Sequence, residues 1–349
     1  MSGRAIFLDS GPGEDRGVVT LADRPERLII VRAATPAVQT LGAKSVARVR
    51  RIERGLASAF LEMAEGADAV LALTGDAASL AEGAAIEIEI AAEARRGKGA
   101  VARLIARAEG APRLTCAAPS LAERLAVFAP GQKPITGLAA RDAADAAEAE
   151  AVAMEHTLPG GGSIAIEATR ALVAIDVDLG ERGGRGGDAK RLAPAANLAA
   201  IDAAARLLRL KGLGGLIAID LVGAGHNGPA IAARATAAFA ADGPGVSIGP
   251  ISRFGLLQLV IPHRATPIAD LLCTPDGAPT ALTVAFRLLR GLEREAWADG
   301  GARLLARCAP IVAEAATPYI SDLAGRIGAR FEIAPDPALP PDRFEISTR

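Results

Sequence analysis

Ala171-Leu-Val-Ala-Ile-Asp-Val-Asp178 and Gly214-Gly-Leu-Ile-Ala-Ile-Asp-Leu-Val222 decide how this chain is read. Each is a short apolar run of strand type that ends in a carboxylate, Asp176 in the first and Asp220 in the second. A helical pattern lies between them, from about Pro194 to Lys211. Leu198, Ile201, Ala205 and Leu208 share one of its faces, and Gly212 supplies the stop. Strand, helix, strand in that order implies two parallel strands of one sheet joined by a right-handed crossover. Asp176 and Asp220 then fall on the same carboxyl edge, where open α/β sheets bind ligands. Carboxylates paired there suit a hard cation such as Mg2+ and hence metal-assisted phosphoester chemistry. The competing role for such residues is turn or cap chemistry.

The flanking segments extend this layer. Upstream, His156-Thr-Leu-Pro-Gly-Gly-Gly-Ser163 is a turn feeding Ile164–Ala168, which forms a hairpin with Ala171–Val177 across Thr169-Arg170. Downstream, a helix over Pro229–Ala241 and a strand pair at Val246–Ile248 and Phe254–Ile261 complete it. After the first carboxylate run, the glycine-rich loop Gly180–Asp188 carries Arg182 and Arg185 and could cradle phosphate. It closes with no GK[ST] and is not a GxGxxG opening a helix, so neither nucleotide fingerprint is present.

Towards the N-terminus, Arg4–Leu8, Val18–Leu21 and Arg27–Arg32 read as a three-stranded meander, with a Gly/Pro/Asp turn at Ser10–Gly17. Four further strands follow at Ser45–Ile52, Ala57–Glu62, Ala69–Leu73 and Ala85–Ile90. The last alternates strictly, Ile86, Ile88 and Ile90 against Glu87 and Glu89. Four or five short strands in so few residues suggest a small OB-type barrel, a fold that grips nucleic acid with exposed aromatics and basic side chains. Phe60 is the aromatic on offer, as stacking platform or as core residue. Arg95, Arg96 and Lys98 in the loop Glu93–Ala100 are either phosphate contacts or a solvated turn. Ala139–Met154 reads as a helix. The tail gives a helix over Ala281–Asp299 and an α/β unit at Arg303–Cys308, Pro310–Ala315, Ile320–Ile327 and Arg330–Ile333, in which Trp297 and Tyr319 are packing residues.

Bulk properties narrow the class. A chain of 349 residues provides for roughly two or three domains. Half of it is apolar and only 3% aromatic, so the core is aliphatic. A net charge of -1 gives no global attraction to nucleic acid, and any such binding has to come from a local patch. The three cysteines, Cys116, Cys273 and Cys308, form no CxxC and suit a reducing compartment. No secretory signal and no apolar run of membrane-spanning length is evident, so a cytoplasmic protein without a membrane partner is expected.

Four blocks together carry a family resemblance: Ala174-Ile-Asp-Val-Asp178, Asn197-Leu198, Leu210-Lys-Gly-Leu-Gly-Gly-Leu-Ile-Ala-Ile-Asp220 and Ile251-Ser-Arg-Phe-Gly-Leu-Leu257. In order, spacing and wording they resemble the ribonuclease E/G family. Arg51-Ile-Glu-Arg-Gly-Leu-Ala-Ser-Ala-Phe60 and Arg96-Gly-Lys-Gly-Ala100 look like the family's inserted OB-type domain and its exit, and Leu158-Pro-Gly-Gly-Gly-Ser163 like the entry to its catalytic half. Leu288–Ala296 and Phe344-Glu-Ile346 resemble its small C-terminal domain. The likeness covers nearly the whole chain and thins between Cys116 and Glu155.

The resemblance implies an α/β multidomain fold: RNase H-like and DNase I-like α/β layers, an inserted OB-type β-barrel and a small C-terminal α/β domain. The divisions expected are 1–33 (first part of the RNase H-like domain), 34–93 (OB-type), 94–155 (shortened sensor region and return), 156–268 (catalytic, DNase I-like) and 269–349 (degenerate link and small domain). It also implies an endoribonuclease acting on single-stranded RNA to leave 5′-phosphate products, with Mg2+ held by Asp176 and Asp220. Phe60 matches an RNA-gripping aromatic, and Gly110 falls where a 5′-monophosphate sensor begins. Arg95 and Lys98 extend the expected RNA contacts; Arg253 is read as a phosphate contact or a structural residue, and Asn197 as an RNA contact or a helix-start residue.

Four departures qualify the likeness. Asp178 replaces the family's Asn and is either a third metal ligand or a charge that repels phosphate. The zinc-linking CPxC is reduced to Cys273-Thr-Pro-Asp276. A structural zinc is therefore not expected, and the chain is read as a monomer or a dimer not joined by zinc. The sensor is shortened. After Asp220, the run Leu221-Val-Gly-Ala-Gly-His-Asn-Gly228 replaces acidic and basic residues. Two other readings remain: a non-catalytic RNA-binding relative, and an α/β phosphotransferase or nucleotide-binding enzyme built on the Gly180–Asp188 loop.

Overall fold

A computed structural model describes residues 3–180 and 186–348. Arg182 and Arg185 of the glycine-rich loop lie outside the described residues. The chain divides into two units, one of residues 1–23, 29–145 and 268–349, the other of residues 24–28 and 146–267.

The first unit opens with β1 (Arg4–Gly11), β2 (Glu14–Leu21) and β3 (Arg24–Arg32), of which β1 and β2 form a hairpin turning at Pro12-Gly13. The polar stretch Ser10–Gly17, expected to be a turn, turns only at Pro12-Gly13, and the residues on either side are strand. Its charges are buried rather than solvated: Glu14 is 3% exposed and Arg16 0%. Arg16 pairs with Asp9 at 2.6 Å and with Asp145 at 2.8 Å.

A five-stranded barrel follows: β4 (Lys44–Glu53), β5 (Ser58–Glu62), β6 (Ala69–Ala72), β7 (Ala85–Ala92) and β8 (Val101–Arg107). Strand order β5-β6-β8-β7-β4, with β4 also paired to β5, closes the sheet on itself. The β6–β8 pairing is parallel and the others are antiparallel. Alternation fills the interior with small and β-branched residues, among them Ala47, Val49, Leu61, Ile86, Ile88 and Ile90. The fifth strand lies past the expected boundary at residue 93. The basic loop at 93–100 is a tight turn, closed by the Arg95–Lys98 bridge, rather than an exit from the barrel.

Next come β9 (Arg113–Cys116), which extends β4, and α1 (Leu121–Ala126). Ser120 and Glu123 begin α1 with a full capping box. β10 (Pro134–Ile135) returns parallel to β1, giving the sheet β10-β1-β2-β3. α2 (Leu138–Val152) then spans the division between the units.

The second unit holds β11 (Glu155–Thr157), β12 (Ser163–Ala168), β13 (Val173–Asp178), α3 (Gly186–Lys211), β14 (Gly215–Asp220), α4 (Gly228–Phe239), β15 (Ser247–Ile248) and β16 (Leu256–Ile261). Its sheet runs β11-β12-β13-β14-β16-β15, and β13 and β14 are parallel neighbours. α3 begins eight residues before Pro194. That proline is accommodated within the helix rather than marking its first turn.

The chain returns to the first unit with α5 (Ile268–Leu272), α6 (Ala281–Ala298), β17 (Leu304–Cys308), α7 (Pro310–Ala316), α8 (Ile320–Ile327), β18 (Phe331–Pro335) and β19 (Phe344–Thr348). α6, α7 and α8 share one apolar core with the sheet β18-β17-β19. Among the described residues, no helix is long and apolar enough to cross a membrane.

Candidate active site

The alternation in β13 and β14 decides where the carboxylates go. Ile175, Val177, Ile217 and Ile219 are each 5% exposed or less and form the buried face of the sheet. Asp176, Asp178 and Asp220 are exposed on the other face. Asp176 is the direct register partner of Asp220, so the two stand side by side in one row across parallel strands. Adjacent strands lie about 4.7–4.9 Å apart. The row continues through Ala165 on one side and Leu256 on the other, neither of which carries charge. Among the described residues neither carboxylate has a hydrogen-bond or ion-pair partner. Two like charges set together with no cation form an oxygen donor set that fits a hard divalent ion, which needs only one or two carboxylates and otherwise retains water.

Asp178 lies two residues further along β13, roughly 6.6–6.8 Å from Asp176 at strand spacing. Its Oδ1 accepts the Gly180 N–H at 2.9 Å, so one carboxylate oxygen serves the turn that ends the strand. The turn at 158–162 packs against the same strand end: Gly162 has φ +86, and a Cβ there would meet the Asp178 carbonyl oxygen at 2.3 Å. Among the described residues, no three His, Cys, Asp or Glu side chains gather as a metal-holding group.

Asn197, expected as an RNA contact or at a helix start, is neither. It lies within α3, 1% exposed. Its Nδ2 donates to the Val222 carbonyl and its Oδ1 accepts the Val222 N–H, both at 3.0 Å. Its amide oxygen and one amide hydrogen are engaged with the backbone. It clamps the backbone two residues past Asp220 and is a positioning residue.

The barrel places Phe60 on its outer surface. Ala59 and Leu61 point inward at 0% exposure, whereas Phe60 is half-buried and faces out. The Arg51 guanidinium covers it, 4.7 Å from the ring centroid. The core reading of Phe60 is therefore excluded. Lys98 is exposed in the β7–β8 loop, and Arg95 is half-buried there. Arg96 is tied down instead, its backbone N–H donating to Asp270 at 3.0 Å and its side chain to the Cys273 carbonyl at 3.3 Å. Gly110, at φ +91, offers its carbonyl to Arg48 at 3.3 Å. Arg253 is exposed, its guanidinium 4.6 Å from the centroid of Phe254. Cys273 sits in a tight turn closed by the Thr274 N–H and the Ala278 carbonyl.

The far end of α3 carries a buried cation. Lys211 is 6% exposed and donates to the carbonyls of Ala151, at 3.0 Å, and Ala153, satisfying the end of α2. Burial is the main cause that brings its pKa down to about 8; Glu150 opposes this and Arg206 adds to it. Burial, followed by the Lys211 charge, also depresses the His156 imidazole below its usual range. A folded value of about 8 against 10.5 means that the unfolded chain binds the extra proton between those two pH values. Stability therefore rises with pH across that window. Urea unfolding at pH 8, 9 and 10 is expected to show wild type gaining steadily on Lys211→Met. A constant difference between the two would refute the assignment. For His156 the sign is the same in a lower window, with stability lost as pH falls below about 6.5.

Residues 117–261 match the family model described as Ribonuclease E/G family, a span that takes in α1, α2 and the whole sheet bearing Asp176 and Asp220. The chain is 45% identical over 107 residues to Ribonuclease E of Escherichia coli (strain K12), which is 30% of this chain and 10% of that protein. It is 43% identical over 148 residues to Ribonuclease E of Buchnera aphidicola subsp. Acyrthosiphon pisum (strain APS), 40% of this chain and 16% of that one. To Ribonuclease G of Escherichia coli (strain K12) it is 25% identical over 202 residues, 54% of this chain and 41% of that protein. The chain thus spans well under half the length of these relatives. These matches, centred on the strands that carry the paired aspartates, place residues 117–261 in the ribonuclease E/G family.

Proposed function

We propose that this protein is a Mg2+-dependent endoribonuclease that cuts single-stranded RNA and leaves a 5′ phosphate on the downstream fragment. The observation that carries this reading is the direct register of Asp176 with Asp220, two exposed carboxylates with no cation partner among the described residues. Asp176 and Asp220 would hold the metal. When bound, Mg2+ supplies Lewis-acid polarisation of the phosphodiester and makes water a better nucleophile. Water attacks phosphorus, the P–O3′ bond breaks, and O3′ leaves and takes up a proton. The phosphate stays on the 5′ carbon of the downstream fragment. Asn197 keeps the Asp220 strand end in place through Val222.

The other assignments belong to the same proposal. The sheet β10-β1-β2-β3 is read as the RNase H-like layer, the six-stranded sheet as the DNase I-like layer at 156–268, the barrel as the OB-type domain and residues 269–349 as link and small domain. Phe60, Arg95, Lys98, Gly110 and Arg253 are assigned to RNA. Phe60 on the barrel's second strand and Lys98 between its fourth and fifth match the surface with which OB folds bind oligonucleotides. The single cysteine in the Cys273–Asp276 turn favours a monomer or a dimer without a zinc link, in the cytoplasm.

Purified protein is expected to cleave a 5′-monophosphorylated, AU-rich single-stranded RNA with Mg2+ and not with EDTA. The downstream product should be degradable by a 5′-monophosphate-dependent exonuclease. Tight RNA binding without cleavage would select the non-catalytic relative. Nucleotide turnover without RNA binding would select the phosphotransferase.

A further inference from the structure

A cavity of about 610 Å³ opens in the second unit between the loop at 223–228 and the turn at 249–255. The loop at 223–228 follows Asp220 directly. The turn precedes Leu256, the register partner of Asp220. The Gly255 carbonyl accepts the Leu221 N–H at 3.4 Å, tying the two walls together one residue beyond Asp220. The cavity therefore adjoins the carboxylate row by backbone connection, and it is of the size that holds a small organic ligand.

Its lining has a definite chemistry. Phe254 forms part of the rim and is 72% exposed, an unusual state for a phenyl ring on a folded surface. Arg253 sits against that ring at 4.6 Å, so the two together present an aromatic and cationic surface. In the wall, His226 has a buried Nε2 with no hydrogen-bond partner among the described residues. The lost hydrogen bond is costly unless a ligand supplies it. Gly255, at φ +88, lies under the imidazole, and a Cβ there would come within 3.2 Å of Nε2. Ser252 is committed to the turn, accepting the N–H groups of Phe254 and Leu256 at 3.3 and 3.2 Å. An exposed π-face, an exposed cation and an imidazole near the paired carboxylates fit one occupant. That occupant has a flat aromatic face, a polar edge and an attached phosphate.

We propose that this cavity is the slot for the nucleobase of an RNA nucleotide flanking the scissile phosphate. The base stacks on Phe254, Arg253 contacts the adjoining phosphate, and the His226 ring, whose Nε2 is buried against Gly255, turns to meet the base edge. The slot rests on the endoribonuclease reading for its place beside the scissile bond, but not for its ability to bind a base.

The test uses the full chain and single-stranded RNAs carrying one abasic nucleotide at each position within three of the cleavage site. Binding is followed by fluorescence anisotropy in EDTA, and cleavage as kcat/KM in Mg2+. Phe254→Ala should weaken binding of intact RNA roughly 5- to 150-fold, the range for one base stacked on an aromatic. It should cost nothing further on the RNA that is abasic at the slot nucleotide. Phe254→Trp should retain binding, and His226→Gln should retain more than His226→Leu. An equal loss on every abasic RNA, or no loss on any, would overturn the slot. If the variants show the expected coupling in EDTA while wild type cleaves nothing, the slot stands and the nuclease reading fails. If wild type cleaves and Phe254→Ala binds and cleaves normally, the reverse holds.

Discussion

Asp220→Asn should lower Mg2+-supported RNA cleavage by at least ~100-fold, since even groups that merely orient metal ligands are worth 10–100-fold. The substitution changes one oxygen to a nitrogen and removes the charge. Asp220 is exposed and has no partner among the described residues, so the fold loses nothing. RNA binding in EDTA should be equal or tighter, because a negative charge has left a surface that receives phosphate. Asp178→Asn makes the matched comparison. Its Oδ1 can still accept the Gly180 N–H, so the turn survives while a charge near Asp176 disappears. Coulomb repulsion of an RNA phosphate at ~7 Å in a mostly aqueous setting is about 0.6–1.2 kcal/mol, so at saturating Mg2+ cleavage should rise roughly 3- to 7-fold. If Asp178→Asn abolished cleavage as fully as Asp220→Asn, Asp178 would be a ligand and the turn assignment incomplete. Activity in Asp220→Asn at the wild-type level would remove the metal site altogether.

The second large effect concerns stability. Arg141 is 1% exposed, and its guanidinium is fully engaged. Nε donates to Asp9 at 3.0 Å, Nη2 to Glu293 at 2.8 Å and Nη1 to the Arg290 carbonyl at 3.2 Å. Trp297 lies 4.5 Å away across its face. Glu293 is 0% exposed, and its remaining cation is Arg326 at 3.3 Å. Arg141→Met keeps much of the apolar stem but leaves two buried carboxylates short of positive charge. Breaking a buried pair in this way costs about 3–5 kcal/mol. The emission of Trp297, the one tryptophan in the sequence, reports the transition directly in urea. Burial raises the Asp9 pKa, but Arg16 and Arg141 together hold it below the usual carboxylate value. Its contribution is therefore present above about pH 3.9 and lost as pH falls through the folded value. An urea midpoint for Arg141→Met within error of wild type would show that the network contributes no net stability.

These two predictions separate what the sequence disclosed from what it concealed. Asp176 and Asp220 were legible because each ends an alternating apolar run, and alternation with a connecting helix dictates a parallel neighbour. The barrel strands up to β7 were legible for the same reason. The hairpin at Pro12-Gly13 was not, because Glu14 and Arg16 look like solvated turn residues when only hydrophobic period is read. They are core residues that pair locally with Arg32 and Asp9 and, far along the chain, with Arg290 and Asp145. β8 was masked by the basic loop before it, and the first turns of α3 by Pro194. Asn197 was singled out, but its role depends on Val222 across the layer, which spacing cannot reveal. His226 carried no motif, and Phe254 entered only as one letter of the Ile251–Leu257 block. A lone histidine in a glycine-rich loop and one phenylalanine become informative only when a cavity brings them together.

The buried charges of the N-terminal hairpin also set a timetable. Barrel strands β4 to β8 close on one another within residues 44–107, soon after they leave the ribosome. Glu14 has to wait for Arg290, 276 residues later, and the Gly13 N–H for Asp322, 309 residues later. At roughly 5–20 residues per second, the first of those waits lasts about 15–55 s. For that interval the hairpin holds ionised side chains whose final partners have not been made. Chains released early, before α6 is synthesised, would carry a complete barrel and an N-terminal hairpin whose buried Glu14 lacks Arg290. They would be natural clients for quality control.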